Sequence, residues 1–287
     1  MPKNRTVNSS SCRVPAPASS TAQRFPLGHT AIVTPGSKRR DPAETNMDFG
    51  ILRLRRGQRH SETCTVESVF VLLHGEIRFR DAAQEHLASR ASLFDEDPST
   101  YHCGAGTELE LKAGTGGAEL AVIRSSKSAP LPTRFTPASA VDSEDRGAGL
   151  VQGACRRCVR TIFDYNTRPD SDLVVGEVVN YPGRWSSYPP HHHAQPEIYH
   201  YRFTDPRGYG HAELGDDVLK VRHGDTVGIP GGLDHAQVSA PGYGMYYLWV
   251  VHHLPRRPYK GFKFTPAHTW LLDAQQQGWQ PTLPASR

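Results

Sequence analysis

No stretch of this chain approaches the roughly 20 consecutive apolar residues of a membrane-spanning helix, so a soluble protein that engages no membrane is expected. Cysteine is scarce and odd in number, with only Cys12, Cys64, Cys103, Cys155 and Cys158. That argues against a secreted disulfide framework and for a cytoplasmic location. Cys155-Arg156-Arg157-Cys158 has the spacing of a redox or half-zinc motif, but no second pair and no helix follows it; it reads as alternate residues of a strand or as a turn between domains. Acidic residues are missing from the first 40 positions, where Lys3, Arg5, Arg13, Arg24, Lys38, Arg39 and Arg40 stand alone. The net charge is +4; without those seven cations the remainder is about −3, so no nucleic-acid face is implied for the folded part. Apolar residues reach only 37% and the mean hydropathy is −0.54. Part of that deficit lies in residues 1–22, which are rich in Ser, Ala and Pro and cannot repay their ordering entropy. They lack the apolar core of a secretory signal and the amphipathic period of a transit peptide, so a disordered tail is expected. Long helical periodicity is absent too; only residues 268–277 offer a short C-terminal helix.

What remains reads as β. Residues 49–54, 68–75, 76–79, 92–95, 101–103, 108–111 and 118–123 are short runs of β-branched, aromatic and alternating residues separated by turns. Residues 151–163 and 173–179 begin a second series, which continues through 218–221 and 226–229 to 244–251, a wholly apolar strand expected to be buried on both faces. The stretch from 125 to 150 is rich in Ser, Pro, Ala, Thr and Gly and reads as a linker. Strands with turns every eight to twelve residues indicate sandwiches or jelly rolls. His60, His74, His86 and His102 lie in the first half, without an H-x-H pair and a following Glu.

The chemistry is concentrated in Pro189-Pro190-His191-His192-His193-Ala194-Gln195-Pro196-Glu197-Ile198-Tyr199-His200-Tyr201. On a strand, residues two apart share a face, so His191 and His193 reach one ion together and His192 points away. Pro196 breaks the alternation, and Glu197 returns to the same point. Downstream, Gly224-Asp225-Thr226-Val227-Gly228-Ile229-Pro230-Gly231-Gly232-Leu233-Asp234-His235 brings a fourth ligand after its own turn. Three imidazoles and a carboxylate suit one divalent ion (Zn, Mn, Fe, Ni or Co) with positions left open for substrate or water. The competing reading, a chance cluster of surface histidines, does not account for the second half-motif.

These half-motifs resemble the two motifs of the cupin superfamily: H-x-H-x3-E at His191, His193 and Glu197, and G-x5-P-x-G-x2-H at Gly224, Pro230, Gly232 and His235. The flanks Arg184-Trp185-Ser186-Ser187-Tyr188 and Glu197-Ile198-Tyr199-His200-Tyr201-Arg202, with residues 240–248, look like the 5-deoxy-glucuronate isomerase family of myo-inositol catabolism. The resemblance covers about residues 47–275. The expected fold is all-β, a tandem pair of cupin (double-stranded β-helix, jelly-roll) barrels, that is, a bicupin. Residues 1–22 would be a disordered tail, 23–130 a degenerate N-terminal barrel without metal, 131–150 a linker, and 151–287 the metal-binding barrel.

The resemblance implies a metal-dependent aldose–ketose isomerase that converts 5-deoxy-D-glucuronate to 2-deoxy-5-keto-D-gluconate. His191, His193, Glu197 and His235 would hold the metal, with Glu197 and His235 catalytic. The substrate is a small sugar acid, and a homo-oligomer is compatible. Its carboxylate needs a cation, for which Arg184 and Arg202 are the candidates nearest the motif. Tyr188, Tyr199 and Tyr247 offer hydroxyls and ring walls, as do Tyr201 and Tyr246, and some of the five are core by alternation. Gln237, His192 and His200 would flank the ligands or touch substrate; His211, His223, His252 and His253 are expected on turns and strand ends. Three features depart from the family: His192 in place of a Lys between the ligand histidines, the absence of an acidic insert before Glu197, and Gly-Gly-Leu-Asp before His235. They spare the ligands and bear on which sugar acid is bound. The alternatives are a cupin dioxygenase or other metal-dependent enzyme on another sugar acid or small molecule, and a non-catalytic sugar sensor.

Overall fold

A computed structural model describes residues 9–17, 25–41, 43–276 and 278–282, and nearly all its regular structure is β. The strands are β1 (Arg13–Val14), β2 (Gly28–Val33), β3 (Asp48–Leu54), β4 (Arg59–Thr63), β5 (Ser68–Arg80), β6 (Glu85–Arg90), β7 (Thr100–Cys103), β8 (Glu108–Arg124), β9 (Arg134–Thr136) and β10 (Asp142–Arg146). They continue as β11 (Arg157–Phe163), β12 (Leu173–Asn180), β13 (Trp185–His192), β14 (Glu197–Phe203), β15 (Tyr209–Leu214), β16 (Asp217–Arg222), β17 (Thr226–Ile229), β18 (His235–Ser239), β19 (Met245–His252) and β20 (Lys263–Phe264). Strands β2 to β9 form one eight-stranded sheet. The rest form a seven-stranded sheet in the order β1-β17-β14-β19-β12-β11-β10 and a five-stranded sheet in the order β16-β15-β18-β13-β20. Among the described residues each sheet runs open from edge to edge.

The seven-stranded sheet is the middle layer, which explains the apolar run at β19. Met245 and Tyr247 face inward toward the five-stranded sheet, in a core with Tyr199, Tyr201, Phe203, Ala212 and Val221. Tyr246, Leu248 and Val250 face the other way, onto Phe49, Ile51, Val69, Val71 and Ile123 of the N-terminal half. Both faces are covered, so the alternation of a half-solvated strand is absent. The N-terminal half fills its own interior with Phe70, Leu72, Phe79, Tyr101, Leu111 and Leu120.

Two buried carboxylates lock the halves together. Glu177 accepts both Nη atoms of Arg90 at 2.8 and 2.7 Å and the Tyr246 hydroxyl at 2.6 Å. Glu67 receives His102, Ser125, Ser171 and the Asp172 N–H.

Several expectations are corrected. Residues 9–17 pack rather than dangle: Cys12 is buried, Arg13 and Val14 pair with Val227 and Thr226, and the Ala16 N–H donates to Asp225 Oδ1 at 3.1 Å. The edge of β17 offers unpaired backbone groups that this segment satisfies; residues 1–8 and 18–22 of the expected tail lie outside the described residues. The stretch 131–150 is no plain linker, because β9 pairs with β7 and β10 with β11. Residues 92–95 form a turn, since the Ser92 hydroxyl donates to Asp95 Oδ2 and accepts the N–H groups of Phe94 and Asp95, a competition that breaks strands. The pieces 68–75 and 76–79 are one strand, as are 108–111 and 118–123. Gly75, at φ +92°, lets the pair bend against Gly117, where any Cβ would strike the Gly117 carbonyl. The C-terminal helix is a 3₁₀ segment, Pro266–Leu272; residue 277 lies outside the described residues.

Candidate metal centre and cavity

The two half-motifs meet across the two C-terminal sheets. His191 on β13 is the register partner of His235 on β18. Between the register pairs Ser186–Gln237 and His191–His235, β13 has four residues and β18 has one, so 187–190 loop out and re-aim the ligand segment. His193 follows directly. The Pro-Gly-Gly turn holds it in place: the Gly232 N–H, at φ +90°, donates to the His193 carbonyl at 2.7 Å, and Gly231 lies against the Ala194 carbonyl where a Cβ would not fit. Glu197 approaches from the facing sheet, between Ile229 and Val251.

The ligand atoms of His191, His193 and His235 lie within 4.8 Å of one another. Each ring is fixed through Nδ1 to a backbone carbonyl: His191 to Ser187 at 3.2 Å, His193 to Gln195 at 2.9 Å and His235 to Leu233 at 3.1 Å. A carbonyl accepts only from N–H, so each Nδ1 carries the proton and each Nε2 is left as a lone pair. Glu197 Oε2 stands 3.2 Å from His193 Nε2 and 3.4 Å from His235 Nε2. Acceptors facing one another in this way need a second proton or a cation between them, and His235 Nε2 is buried with no hydrogen-bond partner. Burial foremost, then the neighbouring His235, pushes His191 down to about 3, which keeps it neutral and able to ligate. The donor set therefore fits a divalent ion.

A cavity of about 190 Å³ opens over these residues. Tyr199 and Tyr247 stack at 4.6 Å on one wall, and the Tyr247 hydroxyl meets Ser186 Oγ at 2.9 Å and Ser187 Oγ at 3.2 Å. Burial raises the pKa of both tyrosines, so they stay protonated. Gly176 makes room for the Trp249 ring beneath. A segment after β19 crosses the mouth: Tyr259 packs on His193 at 4.9 Å and Phe262 on His191 at 4.2 Å, with the Tyr259 N–H donating to His253 Nδ1 at 2.9 Å.

Of the residues expected here, His191, His193, Glu197, His235, Tyr199 and Tyr247 come together. Others do not. Arg184 is exposed in the turn before β13. Arg202 is buried on the opposite face of β14, where period-two alternation puts it with Ile198 and His200, and its Nη2 donates to Glu119 Oε1 at 2.7 Å. Tyr188 packs on Trp185 at 5.2 Å, off the cavity wall, because the looped-out 187–190 presents Ser187 instead. Gln237 is fully buried behind the wall and accepts the Tyr201 hydroxyl at 2.7 Å. His192 turns away to Asp234 at 2.7 Å, and His200 pairs with Thr226 on the face shared with Arg202. Sequence reasoning missed Arg146, Arg157, Ser187, Tyr259 and Phe262. For Arg157 a signal existed, since the alternation of β11 sets Arg157, Val159 and Thr161 on one face; for the crossing segment only its cluster of aromatics hinted.

The chain is similar to known proteins of one family. The profile of the KduI/IolB family matches residues 26–271. The 5-deoxy-glucuronate isomerase of Geobacillus thermodenitrificans is 31% identical over 246 residues, covering 79% of this chain and 86% of that protein. That of Bacillus subtilis is 29% identical over 248 residues, covering 80% and 89%. Among solved structures, an IolB-like protein from Salmonella typhimurium superposes with a TM-score of 0.75 at 24% identity, covering 87% of this chain and 97% of that one. The oxalate decarboxylase of Lactobacillus farciminis superposes with a TM-score of 0.61 at 12% identity, covering 84% and 85%. The structural likenesses speak for a shared cupin-like, all-β fold.

Proposed function

The chain belongs to the KduI/IolB family, and from that premise we propose that it is a metal-dependent aldose–ketose isomerase, converting 5-deoxy-D-glucuronate to 2-deoxy-5-keto-D-gluconate in inositol degradation. The observation that carries the reading is the cluster of three imidazole ligand atoms within 4.8 Å of one another, their tautomers fixed from behind, with the buried Glu197 carboxylate 3.2 and 3.4 Å from two of them. His191, His193, Glu197 and His235 would hold one divalent ion, with Zn, Mn, Fe, Ni and Co all suited to the set. Such an ion supplies Lewis-acid polarisation of a carbonyl and the adjacent hydroxyl.

The protein's own groups account for the rest. In the reaction C1 gains the hydrogen that C2 loses, and the C2 hydroxyl proton passes to O1. Oε2 of Glu197 faces the two imidazoles, which leaves Oε1 as the oxygen to carry a proton between the carbons. His235, without a second donor at Nε2, serves as ligand and holds Glu197 in place. The hydroxyls of Tyr199 and Tyr247 are donors to the sugar oxygens, and Phe262 with Tyr259 limits water. The N-terminal half, 23–130, would be a scaffold, and 151–287 with β10 the catalytic unit. Five unpaired thiols suit a reducing, cytoplasmic setting, and no described helix is long and apolar enough to cross a membrane.

Metal analysis of the purified protein, with conversion of 5-deoxy-D-glucuronate followed by NMR, tests the reading. One divalent ion per chain is expected, lost in His191→Ala/His193→Ala together with ketose formation. In D2O, transfer through Glu197 places deuterium in the product. A metal-loaded protein that leaves the substrate unchanged would refute the assignment.

A further inference from the structure

The cavity over the histidines contains two arginines, and only one forms an ion pair among the described residues. Arg146 on β10 and Arg157 on β11 are direct register partners, and both line the cavity with His191, His193 and Glu197. Like charges opposite one another across an antiparallel pair repel. Glu144 relieves Arg146: Nε and Nη2 donate to its two oxygens at 2.7 and 2.9 Å. Arg157 donates Nη1 to the Cys155 carbonyl at 2.8 Å and has no ion pair among the described residues. The other acids at the cavity are already engaged. Asp164 Oδ1 accepts the N–H groups of Asn166 and Thr167, both at 3.0 Å, and Glu197 faces the histidines. Burial pulls the Arg157 pKa below the usual guanidinium value, partly offset by the nearby Tyr247. A guanidinium does not deprotonate in a protein, so this one is a half-buried cation with no ion-pair partner among the described residues.

We propose that Arg157 holds the carboxylate of the substrate and so selects a sugar acid over a neutral aldose. The identity of the ligand rests on the isomerase reading above. The position is apt: β11 is set in the seven-stranded sheet beside β12, and Arg157 lines the same small cavity as Tyr247 and the histidines. A chain with a carbonyl at one end and a carboxylate at the other then spans from metal ligands to arginine. The planar fork accepts a carboxylate in two parallel hydrogen bonds, which a lysine cannot reproduce.

The test is calorimetric titration of the metal-loaded protein with D-glucuronate and with D-glucose, for wild type, Arg157→Met and Arg157→Gln. Wild type should favour glucuronate, and Arg157→Met should weaken glucuronate by about 10- to 100-fold while glucose changes little. Metal content and thermal melting establish that each variant is folded; if Arg157→Met melts early, Arg157→Gln gives the same reading. Equal affinity of wild type for the two sugars, or unchanged glucuronate binding in a folded variant, overturns the assignment. If glucuronate binds through Arg157 but 5-deoxy-D-glucuronate is not isomerised, the isomerase reading fails and the carboxylate site stands.

Discussion

Glu67→Gln is expected to unlock the seam between the two halves. Glu67 is fully buried, and its oxygens accept His102 Nε2 at 2.9 Å, Ser171 Oγ at 2.6 Å, Ser125 Oγ at 2.7 Å and the Asp172 N–H at 3.1 Å. Two of these donors belong to the segment that leads into β12, so the carboxylate ties the cavity wall to the N-terminal half. Burial opposes its ionisation, but the donors win and bring it to about 2 from 4.5. That difference corresponds to stabilisation on the order of 3 kcal/mol at neutral pH. Glutamine keeps the shape but turns an NH2 toward two donors, so a loss of about 2–4 kcal/mol follows. The sign with pH is set by the folded value lying below the unfolded one. The contribution is complete above about pH 4.5 and is lost as pH falls toward 2. His102, lowered chiefly by burial, works in the same sense, because the unfolded chain takes up that proton first as pH falls below 6.5. Urea unfolding of wild type and Glu67→Gln at pH 7, 5 and 3 should show a gap that holds from pH 7 to 5 and narrows by pH 3. A gap below 1 kcal/mol at pH 7, or one unchanged at pH 3, would refute the reasoning.

Further expectations concern the arginines and the crossing segment. Arg202→Met strands Glu119 and should cost about 3 kcal/mol in urea unfolding, yet it leaves KM for the sugar acid within about twofold, because its side chain is on the other face of β14. Arg184→Ala, in an exposed turn, should change neither stability nor KM; a large rise in KM for either variant would restore the carboxylate to that residue. Phe262→Ala uncovers His191 and should speed metal loss to a chelator by about 10-fold, followed as loss of activity with time; an unchanged rate would mean that the ring does not shield the ligand.

The clustering of His191, His193 and His235 was legible in the sequence because it depends on local rules. Spacing by two puts His191 and His193 on one face, and Gly232 at positive φ turns the chain so that His235 arrives beside them. Choosing the cation by nearness to the motif failed for a reason equally local. Arg202 is five residues from Glu197, an odd offset that sends it through the sheet, whereas Arg157 is 40 residues before Glu197 and on the right face of its own strand. Which strands are neighbours is a long-range property, and the order β14-β19-β12-β11 could not be read from periodicity. The segment 9–17 was misjudged on composition: it is poor in apolar residues, but its ordering is repaid by strand edge, by Cys12 in the core and by Asp225. Polar side chains decided the turn at Ser92 as well, against the apolar pattern of Leu93 and Phe94.

The seven-stranded sheet gives the N-terminal half a physical grip on the site. On β14, Glu197 and Tyr199 face the cavity while Ile198 and Arg202 face the seam; on β11, Arg157 faces the cavity while Arg160 donates to the carbonyls of Leu93 and Phe94 across it. On β12, Val174 and Val178 line the cavity while Glu177 holds Arg90. Strands β11, β12 and β14, which carry cavity residues, are thus each fixed at an adjoining position by a buried contact to the other half. Packed interiors yield little, so the separation between Arg157 and the histidines is set by contacts that no ligand touches. A half that contributes no residue to the cavity lining thereby braces the wall that carries Glu197 and Arg157.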